Sequence, residues 1–333
     1  MYFKKINDFL TGNSEPWSFK FREVFSLAFK KHCKNYNQQN DEFTFIPKPW
    51  IWLRVFGLLI LLSFIYYTII YSGGVYLAFP WFSLVTASII PITVAVFLYE
   101  SNIKESVSLI NILIIFFVGT AFAFVALINI NVGVGNEAIY AAFFAPVIEE
   151  IAKLIPIMIA IILLKTKRLS SAVLIGWLVG AGFEIAETLG YATYNGYEAV
   201  FSSSSSFILP DASTLFIRSL VAFGSHGLWG AIEGAAFYLS HKQENNKFIT
   251  KRFLAWMGLS VAFHMLWNSN AFFTSSDIVR IIIMIILQAM MIGIFIYIMD
   301  ACIRDNKLIV QNMINEENAV TKITDSDKGE IVS

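Results

Sequence analysis

Residues 145–164 read APVIEEIAKLIPIMIAIILL, a stretch apolar enough to lie in a bilayer that nevertheless holds Glu149, Glu150 and Lys153. As a helix rising about 1.5 Å per residue, a stretch of this length covers about 30 Å, the depth of a hydrocarbon core. Each charged side chain near the centre of such a helix is unfavourable by about 2.5–3.5 kcal/mol on the insertion scale. Three of them within two turns cannot face lipid. They must meet one another, or groups on other helices, around a wet interior. Glu149 and Lys153 are four residues apart with the acid on the N-terminal side, which is the favourable order, and Glu150 and Lys153 are three apart. Adjacent helical positions point about 100° apart, so the two acids cannot occupy one spot. One is expected to face the interior while the other is tied to Lys153 or a neighbouring helix.

The rest of the chain supplies the helices that such a segment needs. Of 333 residues 57% are hydrophobic and 14% charged, against about 45–50% and about 25% in ordinary soluble domains. Apolar windows predict about eight transmembrane helices, at 50–71, 76–98, 109–130, 138–164, 172–191, 215–239, 253–272 and 278–299. The fold class expected is therefore an all-α polytopic membrane bundle, since unpaired backbone in lipid leaves helices or closed barrels and no alternating barrel pattern is present. The formal net charge of +0 gives no basic field for a polyanion, so nucleic acid is not an expected partner. Cys33 and Cys302 are too far apart in sequence to suggest a disulfide framework or a cysteine metal site.

Orientation follows from the loops. Lys and Arg crowd the N-terminal segment, recur at Lys104, at Lys165, Lys167 and Arg168, at Lys242, Lys247, Lys251 and Arg252, and close at Arg304 and Lys307. The intervening loops at 72–75, 131–137, 192–213 and 274–277 contain neither residue. Arg280, just beyond the last of these, can snorkel to the interface. The positive-inside pattern puts both termini in the cytoplasm. The opening MYFKKINDFL lacks a sustained apolar region with a cleavage site, so the first span is expected to be retained. Three regions result: a cytosolic segment 1–49, with a helix expected at 16–32 that is either interfacial and amphipathic or cytosolic and packed on the bundle; a bundle 50–301, its catalytic core at about 138–272; and a polar tail 302–333 expected to be disordered. The serine run 202–206 reads as a flexible outer linker.

Ionisable groups are concentrated in spans four to seven: Glu149, Glu150, Lys153, Glu184, Glu187, Arg218, His226, Glu233 and His264, with Asn268 beside them. A single one of these would read as interhelical glue. Carboxylates and imidazoles on four consecutive helices read instead as a shared polar site. By depth, Glu149 and Glu150 fall mid-span, Glu187 toward the outer end of span five, His226 near the middle of span six, and His264 with Asn268 in the outer half of span seven. Glu233 falls on the inner half. Glu187 and Tyr191 share a helix face, and so do His264 and Asn268, a pair of donors suited to a developing oxyanion.

Four motifs occur in order: EExxK at Glu149-Glu150-Ile-Ala-Lys153, FxxxE ending at Glu187 with Tyr191 downstream, Arg218 ahead of His226, and HxxxN at His264 to Asn268. The set resembles the PrsW family of glutamic-type intramembrane proteases, part of the superfamily that includes the CAAX prenyl proteases. The resemblance implies a multi-pass protein of the cell membrane, in a bacterial plasma membrane, that cleaves membrane-anchored regulatory proteins such as anti-sigma factors. It implies that Glu149, with Glu150 in support or coupled to it, activates water with help from His226, that His264 and Asn268 stabilise the oxyanion, and that no metal or other cofactor is required. Glu187 occupies the position that the CAAX branch fills with His, and Lys153, Arg218 and Tyr191 are supporting residues.

Peptide hydrolysis needs a base for water, an oxyanion stabiliser and an acid for the leaving amine, and the set contains candidates for each. Signatures of other proteases are missing: there is no HExxH, no GxGD and no GxSG. Ser225 adjoins His226, but neighbours in one helix do not face each other, which argues against a Ser–His dyad. The main alternative is a proton-coupled or metal-ion transporter, since two His and a Glu could bind Zn²⁺. Against it stand the lack of internal repeats and of helices broken by Gly or Pro other than Pro146 and Pro156. A silent receptor with a polar core is a third reading. The oligomeric state is not legible.

Overall fold

The computed structural model describes residues 50–73, 75–101, 107–130, 139–201, 208–243, 249–273 and 276–330. Among them run α1 (Ile51–Tyr71), α2 (Val75–Ser101), α3 (Leu109–Ile130), a π-helical turn (Tyr140–Phe144) continuing into α4 (Ala145–Leu163), and α5 (Leu169–Phe201). There follow α6 (Ile208–Val221), a 3₁₀ turn (Ala222–Gly224), α7 (His226–Gln243), α8 (Lys251–Phe273) and α9 (Asp277–Glu330). The helix expected at 16–32 and the serine run 202–206 lie outside the described residues.

Among the described residues six stretches are long and apolar enough to cross a membrane: Ile51–Tyr71, Ala78–Ser101, Leu109–Ala126, Leu169–Ala192, Leu215–Lys242 and Ile278–Asn306. The protein is an all-α, multi-pass membrane bundle. The other two spans expected from the sequence correspond to α4 and α8, which form as helices of 19 and 23 residues. α4 falls short in composition because it carries Glu149, Glu150 and Lys153.

α5 is the axis of the bundle: 94% of its membrane window is buried, with α2, α3 and α7 packed around it. Glycine makes the closest of these approaches. A Cβ on Gly176 would run into the Gly230 carbonyl, one on Gly180 into the His226 carbonyl, and one on Gly234 into the Ala172 carbonyl. Small residues at i and i+4 on both partners let two backbones touch, the usual device for helix association in lipid. The first residue of α7, His226, is thereby pressed against the middle of α5.

One expectation is corrected here. The sixth span, predicted as one helix over 215–239, is broken into α6 and α7 by the 3₁₀ turn and by extended Ser225 (φ −121°, ψ −143°). His226 is therefore the first residue of a helix rather than the middle of one. Gly224-Ser225 favours the break, because a Gly/Ser pair interrupts the ladder easily. A break at membrane depth is tolerated only where the released backbone groups are buried in protein and satisfied. The Gln288 amide donates to the Val221 carbonyl at 2.6 Å, and the Trp229 N–H donates to the Ser225 carbonyl at 3.0 Å. The lack of broken helices therefore no longer counts against a transporter. Past the last span, α9 runs to Glu330, over a stretch without proline and with only Gly293 and Gly329 as glycines.

Candidate functional site

α4, α5, α7 and α8 bring their ionisable residues to one place. Lys153 is the hub. Its ammonium is fully buried, donates to Glu150 Oε1 at 2.6 Å and to His226 Nδ1 at 3.1 Å, and lies over the rings of Trp229 (5.1 Å) and Phe183 (5.5 Å). The helix takes the three-residue pairing with Glu150, leaving Glu149 on the neighbouring face. Because Nδ1 of His226 accepts from Lys153, its Nε2 carries the proton and donates to Glu187 Oε2 at 3.0 Å. His264 Nδ1 donates to Glu150 Oε1 at 2.7 Å, which turns its Nε2 toward Glu149 Oε2 at 3.5 Å. These tautomers follow from the hydrogen-bond network.

Both imidazoles are fixed by aromatic packing. His226 stacks on Phe183 at 4.8 Å between centroids, His264 stacks on Trp229 at 4.3 Å, and the two imidazoles meet edge to face at 4.9 Å. Glu187 is held from the other side by Arg218, 2.9 Å away, whose guanidinium lies 4.6 Å from the Tyr191 ring centroid. Glu184 receives Ser225 Oγ and Thr188 Oγ1 and lies 3.9 Å from Arg218. Ser225 Oγ also reaches the Ala222 carbonyl at 2.8 Å and makes no dyad with His226.

A cavity of about 50 Å³ opens beside this cluster, lined among others by Glu187, Tyr191, Arg218, His226 and Asn268. That volume suits one or a few waters, not a peptide. Glu149, Glu150, Lys153 and His264 lie behind its wall, each at most 3% exposed. Asn268 is less simple than its spacing from His264 suggests. Its amide donates at 3.0 Å to the Ala141 carbonyl in the π-helical turn ahead of α4, so the two residues do not present a side-by-side pair of idle donors.

Glu149 Oε2, Glu150 Oε2 and both oxygens of Glu233 are buried without a hydrogen-bond donor. Together with Glu184 and Glu187 these acids make five carboxylates against two cations, Lys153 and Arg218, so protons or a bound cation must balance the remainder. Glu149, His226 and His264 each offer a ligand atom within 4.8 Å of the others. Glu149 Oε2 and His264 Nε2 are uncommitted enough to serve, and Glu150 behind His264 resembles the outer carboxylate of many metal sites. His226 does not fit: one nitrogen accepts from a buried ammonium and the other donates to Glu187. A divalent ion on His226 would require the displacement of Lys153 or Glu187. With Glu149 and His264 open and His226 engaged on both nitrogens, an ion held by all three requires that rearrangement first.

Fold and site define a class: a multi-pass membrane protein whose buried carboxylates and imidazoles are gathered within the bundle beside a small polar-lined cavity. The sequence model of a family described as PrsW family intramembrane metalloprotease matches residues 80–298, and the chain belongs to that family. The match spans α4 to α8 and thus every residue of the cluster. It makes the protein a PrsW-type intramembrane protease within the superfamily of CAAX-protease-like enzymes. Comparison with curated proteins and with solved structures returned no match.

Proposed function

We propose that the protein hydrolyses peptide bonds of membrane-anchored regulatory proteins, of the anti-sigma-factor kind, with a water activated by Glu149 and without a metal. The observation that carries the reading is the pair Glu149 Oε2 and His264 Nε2. They face each other at 3.5 Å, and no hydrogen-bond donor reaches the carboxylate oxygen. A water engaged by both gives up a proton to Glu149 as it attacks the carbonyl carbon. The same proton then passes to the leaving amine, so one carboxylate serves as base and then as acid.

The remaining groups hold this arrangement. Glu150 orients His264 and neutralises Lys153. Lys153 fixes the His226 tautomer and supplies the buried positive charge that a metal would otherwise bring. Arg218 and Asn268, both lining the cavity, are donors available to the developing oxyanion, which in a site sheltered from bulk water stabilises the transition state strongly. Asn268 must leave Ala141 to take this role. Because the cavity is too small for a peptide, substrate access requires a wider opening near Tyr191 and Arg218.

In this reading α4 and α8 cross the membrane as well, giving eight spans with both termini cytoplasmic, and cleavage falls toward the outer boundary. The test is a membrane-anchored reporter expressed with wild type, Glu149→Ala, Glu150→Ala or His226→Ala. Loss of cleavage in all three is expected, and undiminished cleavage in all three removes the assignment. Elemental analysis of the active, purified protein decides the metal question: less than stoichiometric zinc is expected, whereas one zinc per chain lost together with activity favours Glu149, His226 and His264 as ligands.

A further inference from the structure

A second cavity, of about 240 Å³, lies between α7, α8 and α9 and shares no lining residue with the first. Its walls are apolar, and alanine makes the space: Ala235 and Ala236 on α7 and Ala301 on α9 stand where larger side chains would close it. Its mouth is charged, with Arg252 from the first turn of α8 and Arg304 and Asp305 from α9. Trp256 and Tyr297 stack at the edge, with centroids 6.1 Å apart and planes 20° apart.

The mouth lies at a defined depth. Leu169, which also lines it, begins the span Leu169–Ala192, and Asp305 is next to the last residue of the span Ile278–Asn306. Hydrocarbon therefore gives way to headgroups at this level, where Trp and Tyr gather in membrane proteins. Lys242, near the end of α7, donates to the carbonyl of Lys167 in the loop before α5, and Lys251 precedes Arg252 at the start of α8. Asp305 is already engaged: it accepts from the Leu169 N–H at 2.9 Å and lies 3.6 Å from Lys242. Arg304 pairs with Asp300, but both side chains are more than half exposed, and an exposed pair of this kind yields readily to a competing anion.

We propose that this cavity binds one anionic phospholipid from the leaflet at the basic face, with an acyl chain in the alanine-lined slot and the headgroup phosphate between Arg252 and Arg304. Charge and shape select this occupant. Guanidinium groups pair with phosphate through parallel N–H donors, and the surrounding lysines add the attraction that basic segments have for anionic lipid surfaces. A zwitterionic lipid fills the slot but brings no net charge to the arginines, and free phosphate meets the arginines but leaves the slot empty. The bound lipid bridges α7 and α8, the helices that carry His226 and His264.

The test is native mass spectrometry of the full chain released from nanodiscs of equal phosphatidylglycerol and phosphatidylcholine. Wild type should retain phosphatidylglycerol in at least fivefold excess, and Arg252→Gln/Arg304→Gln, at exposed positions, should bring the ratio near one. Ala301→Phe, which fills the slot, should lose both lipids. Thermal unfolding in detergent with added inorganic phosphate should show no stabilisation, while added phosphatidylglycerol raises the midpoint in wild type but not in the double variant. Equal retention of the two lipids by wild type, an unchanged ratio in the double variant, or stabilisation by phosphate equal to that by lipid would overturn the proposal. None of these readouts depends on proteolysis.

Discussion

α3 and α5 are both apolar helices packed against each other, yet 22% of the α3 membrane window is buried against 94% for α5. The more apolar of the two is the more exposed. In water the order would be reversed, because apolar burial drives folding there. In a bilayer lipid is as good a neighbour as leucine, so what draws a helix inward is what lipid cannot accommodate: ionisable groups, and glycines that let backbones touch. α5 has both, with Glu184 and Glu187 on the site side and Gly176 and Gly180 against α7. α3 presents Leu113, Ile114 and Phe117 outward, each at least half exposed.

Substitutions can break or sharpen that contrast. The largest loss of stability is expected for Lys153→Met, which strands the Glu150 carboxylate in the interior; removing one partner of a buried pair costs about 3–5 kcal/mol. Unfolding in detergent, monitored by circular dichroism, measures it. Gly180→Leu should come next at about 3 kcal/mol, because the new side chain meets the backbone of α7 and nothing flexible can yield. Its control is Gly293→Leu, where nothing lies within 4 Å of an added Cβ and the change should stay within about 0.5 kcal/mol. Gln288→Leu removes the donor to the Val221 carbonyl at the helix break and should cost about 1 kcal/mol, with faster hydrogen exchange confined to the 3₁₀ turn. Smallest of all is Leu113→Ala on the lipid face, expected below about 0.5 kcal/mol. A Leu113→Ala loss as large as that of Gly180→Leu would mean that α3 is covered by something other than lipid.

The same contrast explains what could be read in advance. Hydropathy located the helices because each must shield its own backbone from lipid, and that constraint is local. The meeting of Glu149, Glu150, Lys153, Glu187, His226 and His264 was legible because charges in spans have few other places to go. The helix break was missed because hydropathy averages over side chains and is blind to backbone path. Gly224-Ser225 and the lone polar Gln288 on a facing helix were its traces. The partner of Asn268 was invisible for a related reason, since a backbone carbonyl in a π-helical turn leaves no mark in a side-chain pattern. Spacing offered Lys153 two acids, and only the packing of His264 against Glu150 decided between them.

The proposed base is the oxygen of Glu149 that faces His264. Glu149→Gln keeps the shape of the side chain and removes its basicity. Cleavage of a membrane-anchored reporter by the purified variant, at a concentration of folded protein matched to wild type, should fall by about 10²–10⁴-fold with the unfolding midpoint little changed. Cleavage at the wild-type rate would contradict the account.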